Sequence, residues 1–249
     1  LGTVLGRSNT AALQSMSGRL FEQALPTILK TTSPRAWAFA LIGIHEYLRR
    51  FAGDRRAGLV RKQLAGRLLE LYQTNNSEKW HWFEDRLAYC NAALPHAMLL
   101  CGQWIPNDAM TAVGIESLTW LTDLQRAKKG GHFVPIGSNG FYKKGGKRAR
   151  FDQQPVEAQA TVSACLEAYR ITGDSRWRKE AGRAFNWFSG RNDLNLPVYD
   201  PTTGGCRDGL HPDRANENQG AESTLAYLQA LVELRLGEHE FQSAETRSK

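Results

Sequence analysis

The residues of this 249-residue chain best suited to chemistry are carboxylates and amides that fall just ahead of helical patterns. Residues 75–84 read Asn-Asn-Ser-Glu-Lys-Trp-His-Trp-Phe-Glu, residues 151–157 Phe-Asp-Gln-Gln-Pro-Val-Glu and residues 216–222 Asn-Glu-Asn-Gln-Gly-Ala-Glu. Residues 198–210 add a Tyr, two Asp and three Gly. Sugars need this mixture. Carboxylates and amides satisfy vicinal hydroxyls, and aromatic rings stack on the apolar face of the ring. Cleaving a glycosidic bond usually takes two carboxyl groups across the sugar. Glu84, Asp152 and Glu222 are the candidate catalytic carboxylates, with Glu157, Asp208 and Glu217 as further carboxyl candidates. Trp82, Phe151 and Tyr199 are candidate stacking surfaces. Asn91, His132, Gln153, Gln154, Glu157, Asp208, Asn218 and Gln219 are candidate polar contacts. The competing reading is that such residues only cap helix N-termini.

Other chemistries are poorly supported. The histidines show no H-x-x-x-H or H-E-x-x-H spacing, so no metal centre is expected. His132 follows two glycines near the expected mouth of the site, whereas His96, inside a helical pattern, suits the core. His211 falls in a loop. The four cysteines, Cys90, Cys101, Cys165 and Cys206, form no C-x-x-C pair and read as buried free thiols of a reducing cytoplasm. No glycine-rich nucleotide motif follows a strand, so no cofactor is expected.

The formal net charge of +7 raises the question of nucleic acid. The basic residues, however, are spread over helical faces and match no recognition helix or aromatic platform. The one dense run, Lys143-Lys-Gly-Gly-Lys-Arg-Ala-Arg150, reads as a loop, either solvated or touching an anionic group. No apolar stretch is long enough for a membrane span.

Helices must position these residues. Apolar residues recur at steps of three and four over 36–51, 59–72, 84–100, 109–125, 156–171, 177–188 and 221–236, with an earlier helix over 21–30. Gly53-Asp54 and Gly173-Asp174 read as one device, a left-handed glycine ending a helix and an aspartate capping the next. Such short turns make antiparallel hairpins. The helix over 156–171 carries small residues on several faces and suits a crowded inner position. The next puts Arg178, Lys179, Glu180 and Arg183 on a face suited to solvent. In the helix over 84–100, Glu84, Ala88 and Asn91 form a stripe that could line a cavity. Asp152 and Glu157 fall on different helical faces. The expectation is an all-α protein with no convincing strand: one α/α toroid of helical hairpins over 1–249, with its long loops at one end.

The blocks Trp82-Phe-Glu-Asp-Arg-Leu-Ala-Tyr-Cys-Asn-Ala-Ala-Leu-Pro-His-Ala97, Gly131-His-Phe-Val-Pro-Ile-Gly137, Phe151-Asp-Gln-Gln-Pro-Val-Glu-Ala158, Tyr199-Asp-Pro-Thr-Thr-Gly-Gly-Cys-Arg-Asp-Gly-Leu210 and Asn218-Gln-Gly-Ala-Glu-Ser-Thr-Leu225 occur in that order. Together they resemble a bacterial group within the six-hairpin glycosidase-like superfamily, attached to or encoded beside glycosyltransferases. The resemblance implies an α/α toroid with its site at the long-loop end, and a glycan as ligand. It does not specify a reaction. A complete ring needs about twelve helices and the pattern offers about eight, so the ring is incomplete or the chain is part of a longer protein. Three functions follow. They are a glycoside hydrolase-like or related enzyme, a non-catalytic glycan-binding or scaffolding module serving a glycosyltransferase, and a protein-binding helical solenoid.

Overall fold

The computed structural model describes the backbone of residues 1–247 and the side chains of residues 1–238. The fold is all-α. Among the described residues there are nine helices, α1 (Gly2–Arg7), α2 (Ala11–Ile28), α3 (Pro34–Leu48), α4 (Arg55–Asn75), α5 (Ala93–Gly102), α6 (Asp108–Leu124), α7 (Pro155–Thr172), α8 (Ser175–Phe185) and α9 (Ala221–Arg247). Two short strands, β1 (Arg86–Leu87) and β2 (Tyr142–Lys143), pair antiparallel. Among the described residues no helix is long and apolar enough to cross a membrane.

The chain divides into two compact units. The first holds Leu1–Glu84 and Ala93–Ser117; the second holds Asp85–Ala92 and Leu118–Lys249. In the first, α3 packs against α1, α4 and α5 around Leu41, Ile44, Leu64 and Leu68, all of them buried. In the second, α7 packs against both α8 and α9. Ala158, Ala160, Val162, Ala164, Cys165 and Ala168 of α7 are all buried. Small side chains on every face let neighbouring helices approach it closely, as a crowded inner helix requires.

The structure departs from the sequence pattern at three places. No helix covers 84–92. Leu87 is tied into the strand pair, and Cys90 takes a left-handed backbone (φ 48°). The Asn91 amide folds back on Ala88, with Oδ1 accepting from its N–H at 2.9 Å and Nδ2 donating to its carbonyl at 2.9 Å. Glu84, Ala88 and Asn91 therefore form no helical stripe, and α5 begins only at Ala93.

On α8, Glu180 and Arg183 turn inward instead of facing water. Glu180 shares the side of Trp177, Ala181 and Ala184, and its carboxylate holds Arg183 and Arg126. Arg178 and Lys179 stay exposed.

The two Gly-Asp turns also differ. Asp54 and Asp174 both cap, accepting from Ala57 N at 3.0 Å and Arg176 N at 2.8 Å. Only Gly173 is left-handed (φ +69°), its N–H donating to Tyr169 O at 2.8 Å. A Cβ there meets no neighbour, so the backbone conformation alone sets the cost of substitution. Gly173→Ala is expected to lower stability by about 1–2 kcal/mol, and Gly53→Ala by much less. Urea unfolding of both variants checks the contrast.

Candidate functional site

In the second unit, the chain ahead of α7 and the chain ahead of α9 are joined backbone to backbone. Gln153 and Leu210 exchange two hydrogen bonds of 3.0 Å each. Gly137 lies so close that a Cβ on it would sit 1.9 Å from the Phe151 carbonyl oxygen. The junction sets Asp152 beside His211, with Oδ1 at 2.7 Å from Nδ1. Their side chains are 33% and 32% exposed. Asp152 has a left-handed backbone (φ 53°), and its carbonyl accepts from Ser138 N at 3.0 Å and Ser138 Oγ at 3.1 Å. Asp152 therefore precedes α7 rather than lying on one of its faces; Gln154 is the N-cap and contributes no side-chain cap bond.

Asp193 organises the same region from the loop after α8. Its side chain is only 1% exposed. It accepts from Arg150 Nε and Arg150 NH2 at 2.9 Å each and from Gln153 Nε2 at 2.8 Å, and it lies 2.8 Å from His132 Nε2. Gln153, itself fully buried, accepts in turn from Trp187 Nε1 at 2.8 Å. Burial pushes the Asp193 carboxyl up, but Arg150, His132 and Gln153 outweigh it and hold the group below the ordinary carboxylate range. Asn192 shapes this loop, bridging Trp187 O and Leu196 O with its amide nitrogen.

The dense basic run is thus partly structural. Arg150 pairs with Asp193, and Arg148 donates to the carbonyls of Leu124, Val134 and Pro135.

Glu157, in the first turn of α7, is buried and receives Asn91 N at 3.2 Å, Asn91 Nδ2 at 3.0 Å and a shorter bond from Cys90 N. It pins the 88–91 loop. Beside it, Tyr89 donates its hydroxyl to Glu222 Oε2 at 2.8 Å. Burial and the Glu222 carboxylate together raise the Tyr89 hydroxyl far above its ordinary range. Glu222 itself remains exposed at the start of α9.

Asp208 is engaged in a cap. It accepts from Gly220 N at 2.8 Å, from Ser223 Oγ at 2.6 Å and from Asn218 Nδ2, all at the N-terminus of α9. Gln219 accepts from Thr203 Oγ1 at 2.7 Å and reaches Asp200 Oδ2 at 3.4 Å. Glu217 is exposed and pairs with Arg207 at 3.1 Å.

The aromatic candidates separate. Tyr199 is half-buried and stacks on Tyr227, with centroids 4.2 Å apart. Phe151 is half-buried with the Arg150 guanidinium 5.8 Å from its centroid. Trp82 is fully buried against Phe83 in the first unit and offers no face to a ligand. Glu84, also in the first unit, is ion-paired to Arg35.

Cys90, Cys101, Cys165 and Cys206 are free and buried. Burial, with Asp208 adding to it, pushes the Cys206 thiol up to about 12, which keeps it from acting as a nucleophile. Among the described residues no three His, Cys, Asp or Glu side chains are grouped to hold a metal ion. Two grooves of about 580 Å³ lie elsewhere, one along α2 and α3 and one between α8 and α9, and neither is lined by a candidate residue.

The sequence reading missed Asp193, Tyr89 and the pairing role of His211, and placed Arg150 only in a basic run, either solvated or touching an anionic group. The polar Asn-Asp at 192–193 is the signal in the sequence, and the apolar spacing that continues past the end of α8 to Phe188 masks the loop it belongs to. No protein-family model matches the chain, and no curated protein is significantly similar to it.

Because the folded-state pKa of Asp193 is depressed, its contribution to stability is present above the unfolded value near pH 4 and is lost as pH falls through the folded value. Asp193→Ala should cost about 3 kcal/mol at neutral pH, and the difference from the natural chain should shrink steadily below about pH 4. Urea titrations across that range check both the size and the direction.

Proposed function

We propose that the protein is carbohydrate-active and acts on glycosidic bonds, in the manner of a glycoside hydrolase. Its site would be formed by the loops of the second unit that precede α7 and α9. The observation that carries this reading is the Gln153–Leu210 junction, which holds Asp152 and His211 together, partly exposed and still open on their outer sides. Most other carboxylates of the region are spent on structure, Glu157 on backbone N–H groups, Asp193 on Arg150 and Asp208 on the start of α9. Among the described residues Asp152 and Glu222 each have one side-chain partner, and both have access to solvent. Glu84 is in an ion pair within the other unit, so we assign it no place in this site.

The toroid, the glycan and the link to a glycosyltransferase rest on the five sequence blocks and their resemblance to the six-hairpin group. A cytoplasmic setting agrees with four free buried thiols.

The number of carboxylates already engaged favours a second reading, a glycan-binding module that serves a glycosyltransferase without turnover. A glycan array followed by product analysis separates the two. On any glycan that responds, Asp152→Asn and Glu222→Gln are each expected to lower turnover by on the order of 100-fold while leaving the unfolding midpoint nearly unchanged. Binding with no product from the natural chain supports the module instead.

A further inference from the structure

We infer that His211, rather than Asp152, is the group that exchanges a proton with substrate, and that Asp152 is its positioning residue. This rests on the reading of the site as one that cleaves glycosidic bonds.

The geometry divides the roles. Asp152 Oδ1 faces His211 Nδ1 at 2.7 Å, so in the neutral imidazole the proton sits on Nδ1 and the lone pair on Nε2. Among the described residues Nε2 has no protein partner, and the ring is about one third exposed. The atom that could take a proton is therefore the one the protein leaves unoccupied. The carboxylate stabilises the imidazolium that would form, which is the task of the aspartate in a histidine–aspartate pair.

Both residues are fixed through their backbones. The Asp152 carbonyl is held twice by Ser138, and His211 N donates to Arg214 O at 2.9 Å. Gly209, just ahead of the histidine, runs so close to its neighbour that a Cβ would sit 2.0 Å from the Gln153 carbonyl oxygen. Two strained or crowded backbone segments, locked by the Gln153–Leu210 pair, thus present one hydrogen-bonded side-chain pair. Positioning of this kind is what proton transfer at a reacting centre requires.

In the step assigned here, a water oxygen bonds to the anomeric carbon as one water proton passes to His211 Nε2. The bond from that carbon to the leaving oxygen breaks, and its electron pair stays on that oxygen. A sugar leaving group takes a proton from the second carboxyl of the site, for which Glu222 is the candidate and which recovers it from solvent, whereas a nitrophenolate needs none. The imidazolium then returns its proton to water. An imidazole is a stronger base than a carboxylate, so it accepts the proton more readily near neutral pH.

The test uses the full chain, a panel of 4-nitrophenyl glycosides, and two-bond proton–nitrogen correlation of the histidine rings. His211→Ala and His211→Gln should each lower kcat by on the order of 100-fold with little change in KM. Added imidazole should restore part of the His211→Ala loss. Asp152→Asn should lower kcat as well, and move the ring proton from Nδ1 to Nε2. Full activity in both His211 variants overturns the proposal, as does rescue of Asp152→Ala by formate without rescue of His211→Ala by imidazole. If the natural chain cleaves none of the glycosides, the glycosidic reading fails, and the spectrum still decides the pair. A proton on Nε2 of the natural chain would overturn the assignment.

Discussion

The buried carboxylate of Asp193 is the constraint on which the loop region of the second unit depends. A carboxylate that is 1% exposed must be paired or it will not stay ionised. Here it gathers His132 from one end of the loop between α6 and α7, and Arg150 and Gln153 from the other. Gln153 then carries the constraint outward, because its two amide atoms are held by Asp193, Arg150 O and Trp187 while its backbone pairs with Leu210. Once Gln153 is fixed in this way, its neighbour Asp152 has little freedom in where its backbone can run. The Asp152–His211 pair is thus set by a charge that itself lies out of contact with solvent.

Helices were the legible part of the sequence because their signal is local. The pattern over 156–171 needs only neighbours three and four residues away, and α7 runs from Pro155 to Thr172. The stretch 84–92 shows why that signal fails elsewhere. Its spacing suits a helix, but pairing with residues 142–143 and the Glu157 carboxylate give its backbone N–H groups better partners. Those partners are distant in sequence, so periodicity could not reveal them. The same holds for Glu180 on α8, where charge suggested solvent but the distant Arg126, together with Arg183 one turn along the helix, makes burial favourable.

For the candidate site, residue type located the right loops more reliably than it located roles. Asp152 sits just before α7 and Glu222 at the start of α9. Capping and chemistry look alike at that position in a sequence, since both call for a short polar side chain near free backbone N–H groups. Trp82 illustrates the reverse error: an aromatic residue in a segment with carboxylates and amides suggested a stacking surface, yet the ring is core.

The structure separates the two meanings by asking what each carboxylate accepts. Asp208 takes the N–H of Gly220 and the hydroxyl of Ser223, so it stabilises α9 from a preceding loop. Glu157 takes two backbone N–H groups of the 88–91 loop. Asp152 takes no backbone N–H among the described residues; its one partner is an imidazole. It also lies ahead of the N-cap, in a left-handed conformation that an N-cap residue does not use. That conformation costs on the order of 1–3 kcal/mol, and such strain persists only where the surroundings overdetermine it. The bonds from Ser138 and the Gln153–Leu210 pair supply that determination. The strain does nothing for the start of α7, since a relaxed residue would serve as well there. What it does achieve is the approach of one carboxylate to one imidazole nitrogen, with the other nitrogen left open.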